Sequence, residues 1–349
     1  MTDFTPTLAP LLAKAVSGDH LTATEARDAF SHIVSGQASQ IRTGALLAAL
    51  QTKGLAPSEV AGGVEALQAA MIPVPAGDRS TLVDTCGTGG GRVSTFNIST
   101  AAAIVAAAGG VRIAKHGNRS FTSRCGSADV LESLGVAIQL SPKGAAEVLA
   151  ETGIVFMFAP LHHPAVRHVA PVRQALGITT IMNLLGPLAN PAGARRQVVG
   201  VADPAFLDLV VRGLAELGHE RAMVVHGAPG MDEISPCGPT RVAELREGLV
   251  SGYEVTPEDF GITPVAPGAL AGGEPEENAA LVRGVVEGTE RGPARSAVLV
   301  NAAAAFVVAE RTDSLVDGVA AAAHAIDSGA AAAVLDKLVR SSQRVAGRR

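Results

Sequence analysis

A chain of 349 residues is long enough for two domains and for a core that needs no covalent staples. Its formal net charge of -5 leaves no electrostatic footprint for nucleic acid or an anionic membrane. Three widely spaced cysteines, Cys86, Cys125 and Cys237, argue against a disulfide framework or a zinc site and for a reducing compartment.

The opening MTDFTPTLAP has neither the basic residues nor the apolar stretch of a secretory signal. The longest apolar run, Ser296 to Ala309, falls short of the ~20 residues that span a bilayer. A cytoplasmic protein with no membrane partner is therefore expected. Up to about Pro73 every signal is helical: Leu8, Leu11, Leu12 and Ala15 share one face, and Thr22 to Glu25 forms a capping-box pattern ahead of Ala29, Phe30 and Ile33. Ile41, Leu46, Leu47 and Leu50 continue the pattern, and Val60, Val64 and Leu67 make a fourth stripe. MIPVPAGD reads as a linker. Residues 1–73 are thus expected to form a small all-helical domain, and residues 74–349 a different one.

From Thr81 onward, short apolar runs alternate with helical segments. TLVDT, VRIAKH, IVFMFA, QVVGVAD and RAMVVHG are the strand candidates. STAAAIVAAAG, ADVLESLG, PKGAAEVLAE, VRHVAPVRQALG and PAFLDLVVRGLAELG are the helix candidates between them, and alanine-rich helices return after Asn278. Such alternation predicts an α/β fold, with a mostly parallel central sheet flanked by helices.

Between the first strand and the first long helix of this region stands DTCGTGGG, Asp84 to Gly91. Glycines at a strand-to-helix turn let backbone N–H groups approach an anion that the helix dipole also favours. Neither GxxxxGK[ST] nor GxGxxG fits the loop, so this is not one of the common nucleotide fingerprints. NIST (Asn97 to Thr100), KHGNRS (Lys115 to Ser120) and SRCGSAD (Ser123 to Asp129) follow at further turns, and a hydroxyl of NIST is expected to cap its helix. Together they assemble glycine N–H groups, hydroxyls and cations, the inventory for a polyanion such as pyrophosphate. Asp232-Glu233 either holds a divalent metal that bridges phosphates or is a solvated turn in APGMDE; on residues alone the turn is the simpler reading. Cys86 reads as a small buried thiol, and His162-His163 lacks the helical spacing of a zinc site.

The ordered set GTGG, NIST, KHGNRS, GSAD, His163-Pro164, VRQALG with Arg173, NLLGPLANP and Asp232-Glu233 closely resembles the anthranilate phosphoribosyltransferase family over nearly the whole chain. The resemblance implies a helical domain, joined by helices from about 163–190, beside an α/β domain that binds phosphoribosyl pyrophosphate. It implies that Gly87, Gly90, Gly91, Thr95, Asn97, Ser99 and Thr100 line the phosphoribosyl pyrophosphate site. Lys115, Asn118, Arg119, Ser123 and Ser127 then hold the remaining phosphate oxygens. Ser99, Asp232 and Glu233 match magnesium (Mg2+) ligands, and Gly87, Asn118 and Arg173 match contacts to anthranilate, whose carboxylate suits an arginine fork. A homodimer in the tryptophan pathway is implied too. The family commonly carries aspartate after GTGG, where this chain has Gly91 followed by Arg92. No covalent nucleophile is expected; His116 is a candidate proton acceptor. Two alternatives stay open, a pyrimidine-nucleoside phosphorylase-like enzyme and a non-catalytic nucleic-acid-binding protein of the same fold.

Overall fold

The computed structural model describes residues 8–120 and 124–348. Four helices come first, α1 (Leu8–Val16), α2 (Ala23–Val34), α3 (Gln40–Lys53) and α4 (Pro57–Ala70). The capping box forms as the sequence predicts: Glu25 N–H donates to Thr22 Oγ1 at 3.2 Å, and Thr22 N–H donates to Glu25 Oε2 at 2.8 Å. Fully buried Glu59 ties three of these segments together. It accepts the N–H groups of Leu21 and Ala56, each at 2.9 Å, and pairs with Lys53 at 2.6 Å. The linker is irregular and anchored, with Ile72 N–H on the His162 carbonyl at 2.8 Å and Val74 N–H on that of Pro191 at 2.9 Å.

The sheet contains β1 (Leu82–Gly87), β2 (Arg112–Gly117), β3 (Ile154–Phe158), β4 (Arg196–Gly200), β5 (Arg221–Gly227), β6 (Thr240–Arg246) and β7 (Leu249–Val255). Its order is β3-β2-β1-β4-β5-β6-β7. The five strands the sequence predicts are parallel, as a continuous apolar run between helices requires; β6 and β7 add an antiparallel hairpin that the sequence reading lacks. The hairpin is hidden because TRVAELR and LVSGYEV alternate with charge and keep an exposed face. Its marker is Glu247-Gly248, both at positive φ, as a tight two-residue turn demands.

Helices cover both faces of the sheet. α5 (Ile98–Ala108), α6 (Ser127–Ser133), α7 (Pro142–Thr152), α12 (Pro275–Val286), α13 (Pro293–Val308), α14 (Leu315–Asp327) and α15 (Ala330–Ala346) pack on one core. The other core joins α1–α4 to α9 (Ala170–Leu176), α10 (Met182–Leu188) and α11 (Phe206–Glu216). A one-turn helix, α8 (Ala159–His162), follows β3, and the predicted helix over 166–177 is broken into a 3-10 turn and α9. Strand side chains divide between the cores by the two-residue period: Val198, Met223 and Val225 face one, Val199, Ala222 and Val224 the other. Strand order reverses at β1, so a crevice opens beyond the carboxyl ends of β1 and β4, where open α/β sheets take their ligands.

Candidate active site

Three neighbouring strands, β1, β4 and β5, each end in glycine, and the reason is the loop that carries Asp232 and Glu233. A Cβ on Gly200 would lie 1.6 Å from the Asp232 carbonyl oxygen, one on Gly87 would lie 2.6 Å from Asp232 Oδ2, and one on Gly227 would lie 2.5 Å from the Glu233 carbonyl oxygen. The loop therefore rests directly on the strand ends. Asp232 Oδ2 accepts the N–H of Gly89 at 2.9 Å, and Glu233 Oε1 accepts the N–H of Ser99, in the first turn of α5, at 3.2 Å. Arg92 N–H closes the contact on the Gly230 carbonyl at 2.9 Å. The acid pair thus faces the glycine loop and the positive end of α5. Burial, reinforced by the neighbouring Asp232 carboxylate, pushes the Glu233 carboxyl up to about 8; burial also raises Asp232. Gly200 and Gly227 escape the sequence reading, although the shared ending in DTCG, QVVG and VVHG is their signal.

Gly89 and Gly90 lie at φ +67° and +79°, with nothing within 4 Å of the position a Cβ would take. Their left-handed backbone explains the residue type, and the space above them is open. At Gly91 a Cβ would stand 3.1 Å from the Gly230 carbonyl oxygen and 3.3 Å from Asp232 Oδ1, so the smallest residue also relieves the acid loop there.

Lys115 is buried on β2. Its Nζ donates to the Thr85 carbonyl and to Ser99 Oγ at 3.2 Å. Burial pulls this amine down, while the nearby carboxylates of Asp84 and Glu233 oppose that shift. The expectation that a NIST hydroxyl caps α5 fails. Asn97 is the N-cap residue without a side-chain cap bond, and Ser99 Oγ turns to Lys115. Thr100 Oγ1 is buried without a partner among the described residues. The Ser99 N–H goes to Glu233 instead, so a distant carboxylate does the capping. Asn97 is clamped from outside, its Oδ1 accepting Asn278 Nδ2 at 3.0 Å and its Nδ2 donating to the Cys125 carbonyl at 3.3 Å. Thr95 bridges to Ala271 beside it.

In the KHGNRS turn, the Asn118 carbonyl accepts Ser127 Oγ and the Ala128 N–H, both at 3.2 Å. The Arg119 guanidinium turns away to Asp129 and Glu132, at 2.6 Å from each, and sits 5.6 Å above the Phe158 ring centroid. Ser123 lies outside the described residues.

His116 and His163 meet on the other face of the sheet, ring centroids 5.0 Å apart, each with a buried Nε2 that has no partner among the described residues. Burial pulls the His163 ring down to about 4 and holds His116 well below its ordinary value, aided by His163 and His162. Both rings are neutral at pH 7. Cys86 Sγ donates to the Pro187 carbonyl at 3.4 Å; the residue is half-buried where a buried thiol is expected, and desolvation pushes the thiol well up. Arg173, on α9, is half-buried, which lowers its pKa, and forms no ion pair among the described residues. Among the described residues no group of three His, Cys, Asp or Glu side chains could cage a metal. Two carboxylates and a hydroxyl nevertheless suit an ion that keeps waters and takes phosphate oxygens.

Residues 9–71 match the model of the glycosyl transferase family, helical bundle domain, and residues 79–332 that of the glycosyl transferase family, a/b domain. The anthranilate phosphoribosyltransferase of Rubrobacter xylanophilus is 51% identical over 339 residues, covering 97% of this chain and 98% of that protein. Among solved structures, anthranilate phosphoribosyltransferase from Thermus thermophilus superposes with a TM-score of 0.91 at 44% identity, covering 95% of this chain and 99% of its own. The Saccharomyces cerevisiae enzyme in complex with PRPP and Mg superposes with a TM-score of 0.88 at 26% identity, covering 97% and 99%.

Proposed function

This chain belongs to the anthranilate phosphoribosyltransferases of the glycosyl transferase family, and on that premise we propose which of its residues carry the reaction. The chain transfers the phosphoribosyl group of phosphoribosyl pyrophosphate to the amine of anthranilate in tryptophan biosynthesis. The aromatic amine is neutral at pH 7, so its lone pair attacks the anomeric carbon without a strong base. The barrier lies in parting an anion from an oxocarbenium-like sugar, and catalysis rests on charge placed at the leaving pyrophosphate and on positioning.

The observation that carries the assignment is the half-buried acid pair aimed at the glycine loop and the α5 N-terminus. Asp232, Glu233 and the Ser99 hydroxyl are the residues that would hold Mg2+. Two half-buried carboxyls whose pKa desolvation raises, with hard oxygen donors, fit a divalent cation, and Lys115 is the cation that acts on Glu233 without one. When bound, magnesium would neutralise charge on the pyrophosphate. Around it, Gly87, Gly90, Gly91, Thr95, Asn97 and Thr100 form the phosphoribosyl pyrophosphate cradle, with Lys115, Asn118, Ser123, Ser127 and the main chain at Arg119 on the remaining oxygens. Arg173 takes the anthranilate carboxylate, and Gly87 and Asn118 flank the ring. His116, neutral and with an Nε2 that has no partner among the described residues, accepts the amine proton.

The division falls between residues 1–73 and 74–349, with helices from about 163–190 serving the helical part; Val169, Val172, Met182, Leu185 and Leu188 share its core. A second copy of the chain is the partner, supported by the exposed apolar side chains of Val16, Ile41 and Ile178. The wide spacing of Cys86, Cys125 and Cys237 supports a cytoplasmic location. No single described helix is long and apolar enough to cross a membrane.

Replacing Asp232 and Glu233 together with alanine tests the metal assignment. The expected outcome is a fall in activity of about a hundred-fold or more, together with a raised magnesium requirement. Unchanged magnesium dependence would return the pair to a turn.

A further inference from the structure

Strands β1 and β2 pair only at Leu82↔Arg112 and Val83↔Ile113. Each then runs on, β1 paired with β4 as far as Gly87↔Gly200 and β2 paired with β3 as far as Gly117↔Phe158. Between them the ladder stops four residues early on each strand, counting Asp84 to Gly87 and Ala114 to Gly117. Backbone groups stranded in a buried gap must find other partners. Side chains supply them. The Asp84 Oδ1 accepts the His116 N–H at 3.1 Å, Asn190 Nδ2 donates to the Ala114 carbonyl at 2.8 Å, and Lys115 Nζ takes the Thr85 carbonyl. Asn190 Nδ2 also donates to Asp84 Oδ2 at 2.7 Å, and Gln197 Nε2 reaches the same oxygen at 3.4 Å. Asn190 is fixed in turn by Ala192 N–H on its Oδ1 at 2.9 Å.

All three side chains, Asp84, Asn190 and Gln197, are essentially inaccessible to solvent. Among the described residues, no cation comes within ion-pair distance of the Asp84 carboxylate, although the Lys115 charge acts on it through the gap. A buried carboxylate is costly, and a strand pair that simply stayed zipped would satisfy the same backbone groups without one. The network therefore does something a closed ladder does not. It ties β1 to β2 through side chains where the backbone ladder has ended and the strands become the glycine loop and the KHGN turn.

We propose that Asp84 and Asn190 are positioning residues, which stitch the unpaired ends of β1 and β2 and so fix the Lys115 to Asn118 segment beside the glycine loop. This rests on the phosphoribosyl-transfer reading and adds two residues to it. Neither touches substrate; both act through the backbone of β2. Displacing the Lys115 to Asn118 segment by a fraction of an ångström moves charge and donors away from the departing pyrophosphate. The loss then falls on turnover more than on capture of anthranilate, whose proposed anchor Arg173 lies on α9.

The test uses the full-length chain with Asp84→Asn, Asn190→Ser and, as control, Glu59→Gln in the buried network of the helical layer. Steady-state kinetics are read by anthranilate fluorescence well below each variant's melting temperature, and amide hydrogen exchange is followed across residues 114–118. The expected result is a kcat lower by about ten-fold or more for both site variants, a KM for anthranilate within about three-fold of the parent, and faster exchange at His116 in Asp84→Asn. Glu59→Gln is expected to melt lower with kcat unchanged. Site variants that melt lower yet keep kcat within about two-fold would make the network purely structural and overturn the proposal. Should Asp84→Asn not fold, Asn190→Ser, which leaves the carboxylate and its bond to His116 in place, decides on the same criterion. An inactive parent chain would instead sink the transfer reading itself, whereas an active parent with unaffected variants sinks only this one.

Discussion

Arg173 shows how a single residue becomes informative only in its surroundings. In the sequence it is one cation in an amphipathic run, as well explained by a solvated helix face as by a ligand. In the fold it is half-buried on α9 and without a carboxylate partner among the described residues, a costly state for a guanidinium unless an anion arrives. Arg173→Ala is expected to cost on the order of 2 kcal/mol, about thirty-fold, and chiefly in the KM for anthranilate. A change confined to the KM for phosphoribosyl pyrophosphate would reassign the residue. Asp84, Gly200 and Gly227 illustrate the opposite case. An aspartate inside an apolar strand and a glycine closing one are visible as letters, yet their meaning lies in distances to Asn190, His116 and the acid loop, more than a hundred residues away in some cases. No local pattern carries that.

At the scale of elements, the parallel strands and the capping box were legible because local physics sets them: continuous apolar runs for buried strands, and Thr22 with Glu25 for a helix start. The β6–β7 hairpin is hidden by its exposed, charged alternation, and the cap of α5 is not legible in NIST because its acceptor, Glu233, comes from another segment. The glycine loop joins strand to helix and was the strongest local signal. Alanine at Gly90 meets no atom within 4 Å, so the fold bears only the left-handed backbone at φ +79°, about 1–2 kcal/mol. If phosphate oxygens occupy the open space, calorimetric titration of Gly90→Ala will show phosphoribosyl pyrophosphate binding weakened well beyond that amount. Binding that stays intact while the melting temperature drops would leave the glycines to the fold alone.

Over the whole molecule, buried titratable groups pull stability in opposite directions with pH. Burial raises Asp84 to about 6 and Glu233 to about 8, so their contributions are full in acid and are lost as pH rises through those values. Buried His219 and His163 lie at about 4, so theirs are full above the ordinary value of 6.5 and are lost as pH falls toward 4. The two sets offset each other between about pH 4 and 6.5, which predicts a shallow stability profile there. His219, remote from the acid loop, isolates one side. The interval from 6.5 to about 4 corresponds to on the order of 3 kcal/mol, so melting of His219→Asn should fall less than that of the parent between pH 6.5 and 4.5. Parallel melting curves for the two proteins would contradict the assignment.

In the proposed reaction this fold places the anthranilate amine against an anomeric carbon whose pyrophosphate is held by the glycine loop, Lys115 and the Asp232-Glu233 pair. The most direct measurement follows anthranilate fluorescence and released pyrophosphate together, with the purified chain, phosphoribosyl pyrophosphate and magnesium present. The expected result is loss of anthranilate in step with release of pyrophosphate, abolished when phosphoribosyl pyrophosphate is omitted and sharply reduced when magnesium is chelated. Pyrophosphate release that leaves anthranilate unconsumed, or no reaction in the folded protein, would contradict it.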